Sequence, residues 1–309
     1  MDVSAPISII GRGVVAERLR RATADRHRLV GSDAASLRHA RIAVLATDGP
    51  HAALAPELLA AGLHIVSTSG ATQDVRDLLD LDDLARSNST TLVVGAAVSP
   101  GLSGLLARHL AASMTPCEEL HVAVHGTAGP ACAREHHRAL RGWAVGWHDG
   151  EWIERPAGSG RELCWFPEPV GARDCYRAEL PDPWLLHRSF PDVDRISART
   201  SATRRDRFTA RLPMLSPPHR EGGIGALRVE ARGKDERGVR STLIMGIAEL
   251  LGTAAAAVAA SFVDHLSTTE VPPGVVTSAD EDLPTASLLS STARNGVRLQ
   301  AFTGVAVPT

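Results

Sequence analysis

The sequence predicts an α/β fold, a doubly wound parallel sheet joined to a second, α+β domain, and three observations predict it. A short run apolar but for Ser8, Ile7 to Ile10, ends directly in the glycine turn Gly11-Arg12-Gly13-Val14-Val15-Ala16. Short buried-type runs then alternate with amphipathic stretches as far as Val94, the pattern of a parallel sheet with helical crossovers. Past Pro116 that alternation stops. The first part is therefore a Rossmann-type sheet over residues 1–116. An α+β domain for substrate binding and dimerisation is expected over 117–267, and a C-terminal segment over 268–309.

Each element has a local reason. Ile7 to Ile10 is apolar at every position but one, as a strand buried on both faces should be. After the glycines, Val14, Val15, Leu19 and Ala22 recur at helical spacing between charged residues. His27 to Val30, Ile42 to Ala46, Leu63 to Ser67 and Thr91 to Val94 read as the further strands. Helices are expected over about 52–61 and 74–87. Beyond Pro116, strands are expected at Glu119 to Val124, Arg195 to Thr200 and Leu227 to Ala231. The Pro- and Gly-rich stretch from Arg155 to Pro191 predicts long ordered loops over a cleft. A helix is expected from Ile247 to Leu266, then a turn-rich Pro272 to Val276, a helix from Thr285 to Asn295 and a last strand from Gly296 to Phe302.

Composition excludes several classes. The chain has 309 residues, 44% hydrophobic and 22% charged, with a formal net charge of -2, so it lacks the basic footprint of a nucleic-acid binder. Cys117, Cys132, Cys164 and Cys175 show no CxxC spacing, which fits a reducing cytoplasm. Leu250 to Val263 is the longest apolar stretch and is shorter than the roughly 20 residues that span a bilayer. A soluble protein with a small-molecule substrate, no membrane partner and no nucleic-acid partner is expected, as a homodimer.

The glycine turn carries the first functional reading. Gly11 permits the tight turn, Gly13 lets backbone approach a pyrophosphate, and Ala16 keeps the helix close to the sheet. The N–H groups of Gly13, Val14 and Val15 at the helix start then face phosphate charge. The identity of the dinucleotide turns on the second strand. If Asp33 ends it, its carboxylate binds ribose hydroxyls and NAD is favoured. If the strand ends at Val30, then Gly31 and Ser32 follow, with Arg12 and Arg38 as further donors. That leaves room for a 2′-phosphate and gives a slight lean to NADP.

Three further segments, Ala61 to Gly70, Val94 to Ser103, and Pro272 to Val276 with Asn295 to Val297, join the turn in an order that resembles the saccharopine dehydrogenase-like family. The resemblance is strongest before residue 110 and after 268. It implies oxidoreductases that move a hydride between a nicotinamide and a C–N bond. It places Thr47, Ser67 and Ser69 along the cofactor and Ser99, Pro100 and Gly101 beside the nicotinamide. It also implies that the PGV segment packs back near the nucleotide domain. It supplies no acid/base pair, because the lysine used with a histidine by saccharopine-forming members would have to be Lys234, the only lysine in the chain, in a run read as a solvated turn.

A proton donor must then come from elsewhere, and histidine suits that task near neutral pH. The densest cluster, His125 to Arg138, reads as a strand end, a glycine turn and a helix start. His125, His136 and His137 are the candidate donors, and the last two point about 100 degrees apart on a helix. Thr127 and Gly129 offer backbone N–H groups to a substrate carboxylate, and Arg134 adds a bidentate clamp. Ordinary surface histidines are the bland alternative for each of the three. His125, Cys132, His136 and His137 match no trusted zinc spacing, so no metal is expected. All five tryptophans fall between Trp143 and Trp184, which suggests an aromatic-lined pocket or a dimer surface. The leading reading is an NAD(P)-dependent oxidoreductase acting on the C=N (imine) or C=O bond of a small carboxylate-bearing metabolite. The other is a nucleotide-binding or scaffolding protein without turnover.

Overall fold

The computed structural model describes residues 5–214 and 217–302. Its strands, in chain order, begin with β1 (Ile7–Ile10), β2 (Leu29–Val30), β3 (Ile42–Leu45), β4 (His64–Ser67) and β5 (Thr91–Val94). β6 (Cys117–His125), β7 (Trp143–His148), β8 (Glu151–Pro156), β9 (Glu162–Trp165) and β10 (Ala172–Arg177) follow. Then come β11 (Arg195–Ser201), β12 (Ile224–Lys234), β13 (Arg240–Leu250), β14 (Gly274–Thr277) and β15 (Gln300–Ala301). The first sheet is wholly parallel in the order β14-β5-β4-β3-β1-β2. β3 and β5 are buried from end to end, as helices on both faces require.

The second sheet runs β15-β13-β12-β6-β11-β10-β9, with the β7–β8 hairpin joined to β11 through β7. β6 and β11 are parallel, and the other pairs are antiparallel. Alternation along its strands gives two unlike faces. Leu120, Val122, Ile196, Leu227 and Val229 point into one core shared with Ile7, Ile9 and Val44 of the first sheet. The opposite face carries Glu119, His121, Ser197, Arg199 and Glu230. The helix Leu251–Thr268 lies in the shared core and packs on the helices Val14–Thr23 and Thr285–Arg294. No helix among the described residues is long and apolar enough to cross a membrane.

Several expected elements are corrected. The second strand is only Leu29–Val30, because His27 is pulled out of it and its Nε2 meets the Asp264 carboxylate at 2.7 Å. The helix expected over 74–87 is two helices, Thr72–Leu79 and Asp82–Ser87, parted by a turn. The stretch from Arg155 to Pro191 is not long loops: β9, β10 and the helix Asp182–Ser189 are joined by short turns at 157–161, 166–171 and 178–181. The helix expected from Ile247 starts at Leu251, because residues 247–250 complete the pairing of β13 with β12. The turn-rich PGV segment holds β14, which adds a sixth strand beside β5. Lys234 ends β12 and is not in a free turn. Of the C-terminal segment, residues 303–309 lie outside the described residues.

Candidate active site

The glycine turn leaves β1 at the carboxyl edge of the first sheet, where open α/β sheets bind ligands. Gly11 has φ +144°, and a Cβ there would sit 2.2 Å from the Ala46 carbonyl oxygen, so the turn is pressed against the end of β3. Arg20 reaches back and donates to the carbonyls of Ile9 (2.8 Å) and Gly11 (2.7 Å), which fixes the turn from the helix side. Gly13 is the N-cap of Val14–Thr23, with extended backbone and no side-chain cap. A Cβ on Gly13 would meet nothing within 4 Å. Space is therefore open beside Gly13 at a helix start that no side chain caps, and that is a fit for an anionic pyrophosphate. Ala16 is fully buried beneath it.

At the end of β2 the chain passes Gly31, whose carbonyl accepts from Ser8 Oγ at 2.9 Å. Asp33 does not end the strand. Its carboxylate caps the short helix Ala34–Leu37, accepting from the N–H groups of Ala35 and Ser36 and from Ser36 Oγ, and the Ser36 hydroxyl is the largest cause holding its pKa below the ordinary value. Ser32, Arg12 and Arg38 are exposed.

The loops after β3, β4 and β5 form the other half of the cleft. Thr47 Oγ1 is buried with no partner among the described residues, a polar atom left for a bound group. Behind it, His51 Nδ1 meets Ser67 Oγ at 2.8 Å, and the buried Asp74 accepts from the N–H groups of His51 (2.9 Å) and Ala52 (2.8 Å). Ser69 N–H donates to Ser67 Oγ at 3.3 Å. Ser99 and Ser103 both donate to the buried Asp182, at 2.7 and 2.5 Å. Burial raises the Asp182 pKa against the pull of both hydroxyls. Gly101, at φ +138°, closes this loop so tightly that a Cβ would lie 2.2 Å from the Ala97 carbonyl. No local pattern marked His51, Asp74 or Asp182, since each joins the site through tertiary contacts.

Burial also holds the imidazoles of His51, His121 and His136 below the ordinary 6.5. Below that value the unfolded chain binds protons that the folded chain excludes, so stability is full above it and is lost as pH falls toward the folded values. The unfolding free energy should therefore drop between about pH 7 and about pH 5, and His51→Gln should flatten the slope. Urea titrations that show constant or rising stability over that window contradict the assignment.

From the second sheet, the turn Gly126 to Gly129 covers the helix start: a Cβ on Gly129 would lie 3.2 Å from Val14 Cγ2. Gly222 seats against the Thr127 carbonyl and Gly252 against Val14, so the chain is glycine where three segments converge. Arg134 pairs with Asp48 across the mouth, and Arg18 with Glu221 at 3.2 Å. The three candidate histidines point different ways. His125 lies on the outer face of the second sheet, with Nδ1 2.7 Å from Ser201 Oγ and its ring against Phe166. Nδ1 of His136 lies 3.2 Å from Thr200 Oγ1, and His137 Nε2 donates to the Leu212 carbonyl at 2.9 Å. Trp147 stacks on His187 and Trp152 on Trp184, each with centroids 3.9 Å apart. Trp152, Trp184 and His187 line a cavity of about 290 Å³ with Arg76 and Arg188, whereas Trp143 and Trp165 are exposed.

No protein-family model matches the sequence, and no curated protein sequence matches it. Solved structures do. The chain is similar to apo saccharopine dehydrogenase (L-Glu forming) from Saccharomyces cerevisiae, with TM-score 0.63 and 12% identity over 97% of this chain and 100% of that one. It is also similar to the C. glutamicum DAP dehydrogenase in complex with DAP, with TM-score 0.53 and 13% identity over 96% and 100%. An amine dehydrogenase from Mycobacterium smegmatis gives TM-score 0.51 and 12% identity over 90% and 96%. At such identities the likeness is one of fold: this chain has the two-part Rossmann architecture of saccharopine dehydrogenase-like proteins.

Proposed function

We propose that the chain is an NAD(P)-dependent oxidoreductase that moves a hydride to or from the C=N or C=O bond of a small carboxylate-bearing metabolite. The observation that carries this is the open Gly13 turn at an uncapped helix start, facing the loops of a second sheet across the carboxyl edge of a parallel one. The names of the similar structures, a saccharopine, a DAP and an amine dehydrogenase, support the reaction class. The commitment of Asp33 to a helix cap supports NADP over NAD, with Ser32, Arg12 and Arg38 near a 2′-phosphate.

When bound, the dinucleotide supplies or accepts the hydride. The N–H groups of Gly13, Val14 and Val15 hold its pyrophosphate, while Thr47, Ser67, Ser69 and the Ser99-Pro100-Gly101 loop line its other half. Asp182 acts through Ser99 as a positioning residue. Thr127, Gly129 and the start of the helix Pro130–Ala139 receive a substrate carboxylate, and Arg134 joins them on leaving Asp48. The proton passes through a histidine of the 125–137 segment. His137 is the least free, being held by a carbonyl. Burial lowers the pKa of the His136 imidazole below its ordinary value, which favours the neutral form that can take a proton.

A second reading, nucleotide binding without turnover, draws on the same histidines, since the contacts of His136 and His137 suit packing as well as chemistry. Assays of NADPH and NADH oxidation against oxo acids with amines, and of the reverse reaction, separate the two. Turnover that falls at least tenfold in His136→Ala, and holds in His125→Ala on the outer face of the second sheet, is the result expected. Nucleotide binding with no turnover on any substrate, in either direction, sinks the enzyme reading.

A further inference from the structure

We propose that the outer face of the second sheet holds an anion site, separate from the dinucleotide cleft, that takes a small organic molecule bearing phosphate or carboxylate groups. A cavity of about 530 Å³ opens there, within the size range of small-molecule sites. Arg155, Arg177, Arg195, Arg199 and Arg232 line it against one acid, Glu162. Glu162 is taken by Arg199 at 2.7 Å, and Glu119 below is shared by Arg232, Arg195 and His121. Arg155 and Arg177 have no ion pair among the described residues. Arg177 lies directly across from Arg199 in the β10–β11 register, on the same face, so like charges are held side by side. The chain makes room for this: Gly160, at φ +62°, would put a Cβ 2.1 Å from Arg177 Nη1. Burial, then Arg199 and Arg155, push the Arg177 pKa down, a cost that a bound anion would relieve. The buried Nε of Arg195 also has no acceptor among the described residues.

Guanidinium forks match the oxygens of phosphate and carboxylate groups, and Ala144, Gly146 and Ile153 give the cavity an apolar wall. A second copy of this chain docked by the same face would set these arginines against their own copies, so the charge argues for a small anion instead. The site is also remote from the cofactor turn. His121 in the cavity and Gly126, which opens the second-sheet turn over the cofactor helix, are about 17 Å apart along the strand direction of β6 at the usual rise, and the cavity lies on the face turned away from the first sheet.

Calorimetric titration with inorganic pyrophosphate and, separately, citrate tests this on the full chain at low ionic strength, where screening is weak. Binding should weaken at least tenfold in Arg177→Gln and in Arg155→Ala, an exposed hairpin position that leaves the fold intact, and should be kept in Gly13→Asp. Whichever anion binds more tightly identifies the group. Binding unaffected by either arginine change, or lost in Gly13→Asp, places the anion at the glycine turn and overturns the proposal. So does the absence of binding by both anions.

Discussion

Gly13→Asp should abolish tight nicotinamide dinucleotide binding, weakening it at least a hundredfold, while leaving the melting temperature within about 2 °C of the parent. The site is sterically open and its backbone extended, with φ -78°, so the new side chain fits. Aspartate is also a good N-cap for the helix Val14–Thr23. Its charge, however, would lie where the pyrophosphate must come. Two like charges at about 4 Å cost about 4 kcal/mol at an effective dielectric of 20, and each 1.4 kcal/mol is about tenfold in affinity. Gly11→Ala should do the opposite. With φ +144° and the Ala46 carbonyl 2.2 Å from the new Cβ, it should cost about 3 kcal/mol or more of stability. Urea unfolding beside calorimetry reads both. A Gly13→Asp variant that binds like the parent removes the turn from the cofactor site.

The second large effect is Phe262→Ala, expected to cost about 3–5 kcal/mol, the usual range for a fully buried phenylalanine. Phe262 has no exposed surface and belongs to the core that the two sheets share through the helix Leu251–Thr268. One cooperative transition should move to lower urea with its slope unchanged, because the core is continuous. A loss under about 1 kcal/mol would mean that this helix is not the spine joining the sheets.

That helix also shows where sequence reading reaches its limit. Ile247 and Ala248 continue an apolar run into the helix, and only pairing with β12, read across the sheet, assigns them to β13. The glycine turn was legible because its demands are local: a strand that ends in glycine, then an amphipathic start. β14 was legible only as a resemblance, since a four-residue strand after two prolines carries little periodicity of its own. Asp33 lay at the right distance to serve a ribose, yet the Ser36 hydroxyl and two N–H groups claim it. Asp182 reaches Ser99 and Ser103 from some eighty residues away, and His51 meets Ser67 from the neighbouring loop. Contacts of this kind leave no spacing in the chain. The histidines of the 125–137 segment were found by density, but their directions depend on the faces of a sheet and a helix that only the assembled structure defines.

The central claim is that the Gly11 to Ala16 turn holds a nicotinamide dinucleotide. Calorimetric titration of the unmodified chain with NADPH and with NADH tests it most directly. The account predicts saturable binding of one nucleotide per chain, tighter for NADPH. The absence of binding heat with both nucleotides would contradict it.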